Sequence, residues 1–150
     1  MKKLVSFVLF AVMSFSLCLS FASCDIGEEL TYGKKYVLKS KTVYDTFTFN
    51  KDGTGTFEFS RGYVDQSKKS GTIAFLWEVT SDGAIHLLST EVTYNEGFTE
   101  SETMTLPSTR LFFSENMLYN SSSYAVSGGT YYTRYYLEGS KLYEQFCNED

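Results

Sequence analysis

The chain has 150 residues, 43% hydrophobic and 17% aromatic, with 13 basic against 18 acidic side chains and a net charge of −5. That length suits one domain with a single core, and the acidic balance excludes nucleic acid, whose phosphates need a basic surface. The acids are scattered rather than blocked, which reads as a solvated surface and not as an acidic tail.

The chain opens on the layout of an export signal. Lys2 and Lys3 precede an apolar run from Leu4 to Leu19, and the small residues Ser20, Ala22 and Ser23 lead into Cys24. Two cuts fit this exit. Ser20-Phe21-Ala22 is a small-x-small site that would leave Ser23 as the new N-terminus. Phe21-Ala22-Ser23-Cys24 resembles the lipobox of bacterial lipoproteins, which implies a lipid on the Cys24 thiol. On that reading residues 1–23 are a lipoprotein signal peptide, 24–33 a short tether and 34–150 a β-barrel domain. At about 3.4 Å per residue the tether spans at most about 30 Å, so the membrane is the first partner. The expected place is the bacterial cell envelope, with the outer membrane ranked ahead of the inner.

Loss of Lys2 and Lys3 leaves 11 basic side chains against 18 acidic, a net charge of −7. Loss of Cys18 leaves Cys24 and Cys147. A lipid on Cys24 makes Cys147 a lone thiol, whereas a cut after Ala22 frees both for one disulfide in a soluble, secreted or periplasmic barrel. Such a bridge would contribute about 2–4 kcal/mol. Both readings stay open.

Beyond the signal, Thr and Tyr abound and turn residues recur, with almost no helical periodicity, so the class is all-β. In "TFTFNKDGTGTFEF", residues 46–59, a three-residue Lys51-Asp52-Gly53 loop with Gly53 left-handed sets Asn50 opposite Thr54 and Phe47 opposite Phe57. Phe47, Phe49, Phe57 and Phe59 then share one face, whereas a four-residue loop would scatter them. The same rule in "FLWEVTSDGAIHLL", residues 75–88, sets Trp77 opposite Leu87, Val79 opposite Ile85 and Glu78 opposite His86. Further turns are expected at Asn95-Glu96-Gly97, Glu115-Asn116, Ser127-Gly128-Gly129 and Gly139-Ser140. The last is read as a two-residue hairpin loop that pairs Leu137 with Leu142 and brings Glu138 beside Lys141. Arg61–Ser70 is the polar connection long enough for a rim loop. These turns delimit eight to ten antiparallel strands, and a sheet of that length closes on itself to remove its edges, giving a single up-and-down barrel.

An export signal ending in Cys, then "FTFNKDGTGTFEF", then Trp77 ahead of "SDGAIHLL", resembles the small bacterial lipocalin-like lipoproteins, most firmly over residues 43–88. The resemblance implies a calycin-type barrel whose interior or open mouth binds. It transfers no functional side chain.

Residues with chemistry are few. Asn50, Asp52 and Gly53 mimic a calcium loop, but Thr48 and Phe59 stand where its first and last carboxylates belong, so this is a turn. His86 is the only histidine, so no multi-histidine metal site can form, and its expected cross-strand partner is Glu78 on the outer face rather than a nucleophile. Cys147, near the C-terminus, is read as a structural cysteine. No nucleophile elbow or phosphate loop is present. A catalyst, a cofactor and a metal are therefore not expected.

Three roles follow. The first is a non-catalytic binding module of the membrane-anchored envelope lipoprotein type, holding a small apolar or amphipathic ligand on Phe47, Phe49, Phe57, Phe59, Trp77, Tyr131 and Tyr135. The second is a protein-interaction or inhibitor domain, lysozyme-inhibitor-like in acting on a cationic partner, through loops and an exposed patch of Tyr132, Arg134 and Tyr136. The third is an envelope structural protein. Alternation puts Tyr131 and Tyr135 on one face of their strand and Tyr132, Arg134 and Tyr136 on the other, without saying which face is inner.

Overall fold

The computed structural model describes residues 30–62, 67–99, 102–126 and 129–147, and for 121–132 the backbone alone. Eight antiparallel strands close into a barrel in which each pairs with its sequence neighbours. They are β1 (Lys35–Lys39), β2 (Val43–Phe49), β3 (Thr54–Gly62), β4 (Lys68–Val79), β5 (Ile85–Glu96), β6 (Arg110–Ser114), β7 (Met117–Val126) and β8 (Gly129–Leu137). One helix, α1 (Lys141–Cys147), follows. The up-and-down all-β barrel expected from the sequence is the fold found. Residues 1–29, which include the stretch read as a signal, Cys24 and most of the expected tether, lie outside the described residues.

Both Asp-Gly hairpins have the expected register. Phe47 faces Phe57, Asn50 N–H donates to Thr54 O at 2.9 Å, and Gly53 has φ +82°. Trp77 faces Leu87, Glu78 faces His86, and Gly83 has φ +78°. A positive φ at these sites is open to glycine at little steric cost, which closes each loop after three residues.

Alternation then sends one face of every strand inward. Tyr36, Phe47, Phe49, Phe57, Phe59, Ile73, Phe75, Leu111, Leu118 and Tyr135 form the core, each at most 3% exposed. Their rings interlock, with centroids 4.6 Å apart for Phe47–Phe57, 4.9 Å for Phe47–Tyr135 and 5.5 Å for Phe49–Phe75. An eight-stranded barrel is just wide enough for side chains to fill, and burying each such ring contributes about 1.5–3 kcal/mol. Trp77 closes the end that carries the β2–β3 and β4–β5 turns (the lower end). Its indole N–H donates to the carbonyls of Asn50 and Thr54, and its ring stacks on Tyr32 at 6.0 Å.

Three local expectations are corrected. Gly139-Ser140 does not turn a hairpin, and Leu142 pairs with no strand. Ser140 Oγ instead accepts the Tyr143 N–H at 3.1 Å and caps α1. The helix lies over the outer wall at β8 and β1, where Phe146 stacks on Tyr136 at 5.0 Å and the Cys147 thiol faces the Val37 carbonyl at 3.7 Å. The Arg61–Ser70 rim loop is shorter than expected, because the β3–β4 ladder runs on through Arg61↔Lys69 and Gly62↔Lys68. Its middle, residues 63–66, lies outside the described residues.

Gly97 does turn the chain, at φ +78°, but β6 does not pair back beside it. β5 and β6 share two rungs at the lower end, Ile85↔Leu111 and His86↔Arg110. The chain leading into β6 therefore descends along the edge of β5. Burial alternates along 102–109, with Met104 and Leu106 packed against the core and Thr103, Thr105 and Pro107 outward. Above the bond from Leu87 N–H to the Thr109 carbonyl, at 2.8 Å, side chains rather than a regular ladder seal the wall.

Candidate functional site

At the upper end the inward rows change from rings to charges. Asp45 follows Phe49 and Phe47 on the inner row of β2, and Arg61 follows Phe57 and Phe59 on that of β3. The Arg61 guanidinium grips Asp45 with both terminal nitrogens, Nη2 donating to Oδ2 at 2.6 Å and Nη1 bonding Oδ1. Asp45 is 2% exposed. Burial raises its carboxyl above the usual carboxylate range, while Arg61 pulls the other way. Tyr135 lies below it against Phe47, its phenol pushed far above the ordinary tyrosine value by burial and by the charge of Asp45.

Lys69 stands directly opposite Arg61 across the β3–β4 ladder. Two like charges facing each other destabilise a sheet, and each here has its own acid. Lys69 is bonded to Glu102, on the chain descending to β6. The Glu102 carboxyl also accepts the Thr99 N–H at 3.1 Å and is held below the usual range, chiefly by Lys69. The Phe98 ring packs on Phe59 and Tyr94, with the Lys69 ammonium 5.4 Å from its centre. Phe59, Arg61, Lys69, Phe98, Glu102, Thr103 and Met104 enclose a depression of about 250 Å³. Among the described residues this is a charge-capped mouth over a ring-filled interior.

A comparison with protein-family models, curated proteins and solved structures found no match. What the chain does must be read from its own surfaces.

The residues singled out in the sequence separate accordingly. Phe47, Phe49, Phe57, Phe59 and Tyr135 converge inside the barrel, but as packing, with at most 3% of each exposed. Trp77 is a lower-end closure. Tyr136 is on the outer face yet is covered by Phe146, whereas Arg134 is exposed. Tyr131 and Tyr132 pair with Tyr124 and Ser123 in the β7–β8 ladder, and their side chains lie outside the described residues. Glu78 and His86 are neighbours at 3.7 Å on the outer wall. Among the described residues no group of three or more His, Cys, Asp or Glu is arranged to hold a metal.

Sequence reasoning missed the charged mouth, although a signal for it was present. Asp45 shares the parity of Phe47 and Phe49, and Arg61 that of Phe57 and Phe59, so the alternation that made the phenylalanines inward made these two inward as well.

Proposed function

We propose that this protein is a non-catalytic interaction module of the bacterial envelope, a lipocalin-like barrel tethered through a lipid on Cys24, which recognises a partner protein with its outside rather than enclosing a ligand. One observation supports the reading: among the described residues, the interior is occupied by the barrel's own rings. Ligand pockets run from about 300 to 1,000 Å³, and the mouth depression, at about 250 Å³, lies below that range with its cations already bonded to Asp45 and Glu102. The lipobox-like Phe21-Ala22-Ser23-Cys24 supports the tether.

Titration with palmitate, followed by calorimetry, tests the proposal. No saturable uptake is expected. One-to-one binding that disappears in Phe57→Trp, which crowds the interior, would overturn it and restore a ligand-carrying barrel.

A further inference from the structure

Three stretches of outer wall contrast. Over β8 and β1, α1 covers Val37 and Tyr136, leaving them 0% and 9% exposed. Over β2 and β3 the outward residues include Thr46, Thr48, Thr56 and Glu58, tied together where Glu58 accepts from Thr46 and Lys35. The exposed Tyr44 there faces Ser60 rather than a second apolar side chain. Over β4 and β5, Leu76 and Leu88 face each other across the ladder, 47% and 61% exposed. A lone exposed leucine is ordinary, but a facing pair makes a continuous apolar strip.

The strip lies in a groove of about 410 Å³ lined by Asp52, Gly53, Leu76, Trp77, Glu78, His86 and Leu88. Its rim is acidic. The Asp52 carboxyl is kept charged by the hydroxyl and N–H of Thr54, and Glu78 stands at the lower end with 74% of its side chain exposed. His86 lies beside Glu78, its Nδ1 3.7 Å from Oε1, and two neighbouring cations are engaged elsewhere. The Lys51 ammonium lies 5.7 Å from the centre of the Tyr32 ring, and Arg110 is bonded to Asp82 and lies over Phe112.

We propose that this groove docks a basic amphipathic segment of a partner protein, with an apolar side chain on Leu76 and Leu88 and a lysine or arginine reaching Asp52 and Glu78. Charge complementarity selects that occupant. A second copy docked groove to groove would set Asp52 and Glu78 against the same acids, and an anionic lipid surface would be repelled by both. The inference rests on the reading of the protein as an interaction module and names the surface it uses.

Trp77 is the only tryptophan and lines the groove, so its fluorescence reports occupancy. The probe is a short synthetic peptide of alternating leucine and lysine. Saturable quenching or enhancement is expected. Leu88→Ser and Leu76→Ser should each weaken it by about tenfold, the scale of a truncated interface anchor, Glu78→Gln should weaken it less, and Glu138→Gln, on another face, should leave it unchanged. Circular dichroism confirms that each variant is folded. Equal weakening by Leu88→Ser and Glu138→Gln would reduce the binding to diffuse charge attraction and overturn the proposal, as would no binding at all. So would a concentration-dependent dimer lost in Leu88→Ser, or binding to phosphatidylglycerol vesicles lost in the same variant. Palmitate uptake would defeat the interaction-module reading by itself. A barrel that refuses both palmitate and the peptide would defeat only the groove.

Discussion

The ring of Phe75 occupies the space that a side chain on Gly55, its partner across the β3–β4 ladder, would need. A Cβ added at Gly55 would sit 2.3 Å from Phe75 Cε2 and 2.7 Å from the Thr48 carbonyl oxygen. Phe59 and Gly71 repeat the relationship higher up: a Cβ at Gly71 would lie 2.7 Å from Phe59 Cζ and 2.6 Å from Thr93 O. Glycine thus makes room for a neighbouring ring, a pairing that lets a narrow barrel hold large aromatics. Gly55→Ala and Gly71→Ala should each lower stability by about 1–3 kcal/mol, the usual cost of overpacking. Urea denaturation checks this. The double variant Gly55→Ala, Phe75→Leu should recover part of the loss but not all, because the Thr48 carbonyl cannot move as a side chain can.

The Asp45–Arg61 pair should respond asymmetrically. Arg61→Met leaves a carboxylate stranded at 2% exposure and should cost roughly 3 kcal/mol near neutral pH. Asp45→Asn should cost less, because the Arg61 side chain is 24% exposed and reaches water at the mouth. The pH dependence has a definite sign. Burial holds Asp45 above its unfolded value, so its contribution to stability is full below about 3.9 and is lost as pH rises through the folded value. Without Arg61 the folded value rises further. The deficit of Arg61→Met should therefore shrink on acidification, and denaturation midpoints across pH 4–7 (approximate range) measure it.

Buried phenols predict an alkaline limit. Desolvation raises Tyr36, opposed by its bond from Thr31 N–H, and raises Tyr135 much further. Neutral tyrosine is then the form that the fold favours. This contribution is complete below about pH 10, the unfolded value, and is lost as pH rises beyond it. Spectrophotometric titration should show a late, cooperative group of phenols that ionise together with loss of β-structure by circular dichroism. Tyr135→Phe should shrink that step. Smooth ionisation of every tyrosine without unfolding would contradict the burial.

What the sequence made legible were features whose local chemistry and side-chain parity agree. Gly53 and Gly83 supplied the turn, and the phenylalanines on either side admitted one register. α1 was hidden because glycine followed by serine serves equally as a hairpin loop or as a turn out of a strand followed by a helix N-cap. The i, i+4 spacings of Leu142–Phe146 and Tyr143–Cys147 were the discriminating signal. The descent to β6 was hidden for a different reason. Residues 102–109 alternate like a strand, and nothing in alternation distinguishes a ladder from a wall sealed by Met104 and Leu106. The leucine groove was hidden too, since Leu88 following Leu87 puts one apolar side chain on each face and only the assembled wall shows that nothing described covers the outer one.

Cys24 and Cys147 together make the proposed attachment of the barrel testable. Cys147 is 3% exposed, its thiol faces the Val37 carbonyl, and burial raises its ionisation above the ordinary thiol value. Alkylation proceeds through the thiolate, so in the folded protein it should be slow and should follow opening of α1 rather than reagent concentration. Denaturation should release it at once. Intact mass of the natively expressed protein then decides what Cys24 does. A mass beginning at Cys24 with acyl chains, and one alkylatable thiol without reduction, is the expected outcome and puts the barrel on a membrane. A mass beginning at Ser23, with two thiols appearing only after reduction, would instead close Cys24 onto Cys147. The protein would then be a soluble barrel whose partners are met in the surrounding fluid.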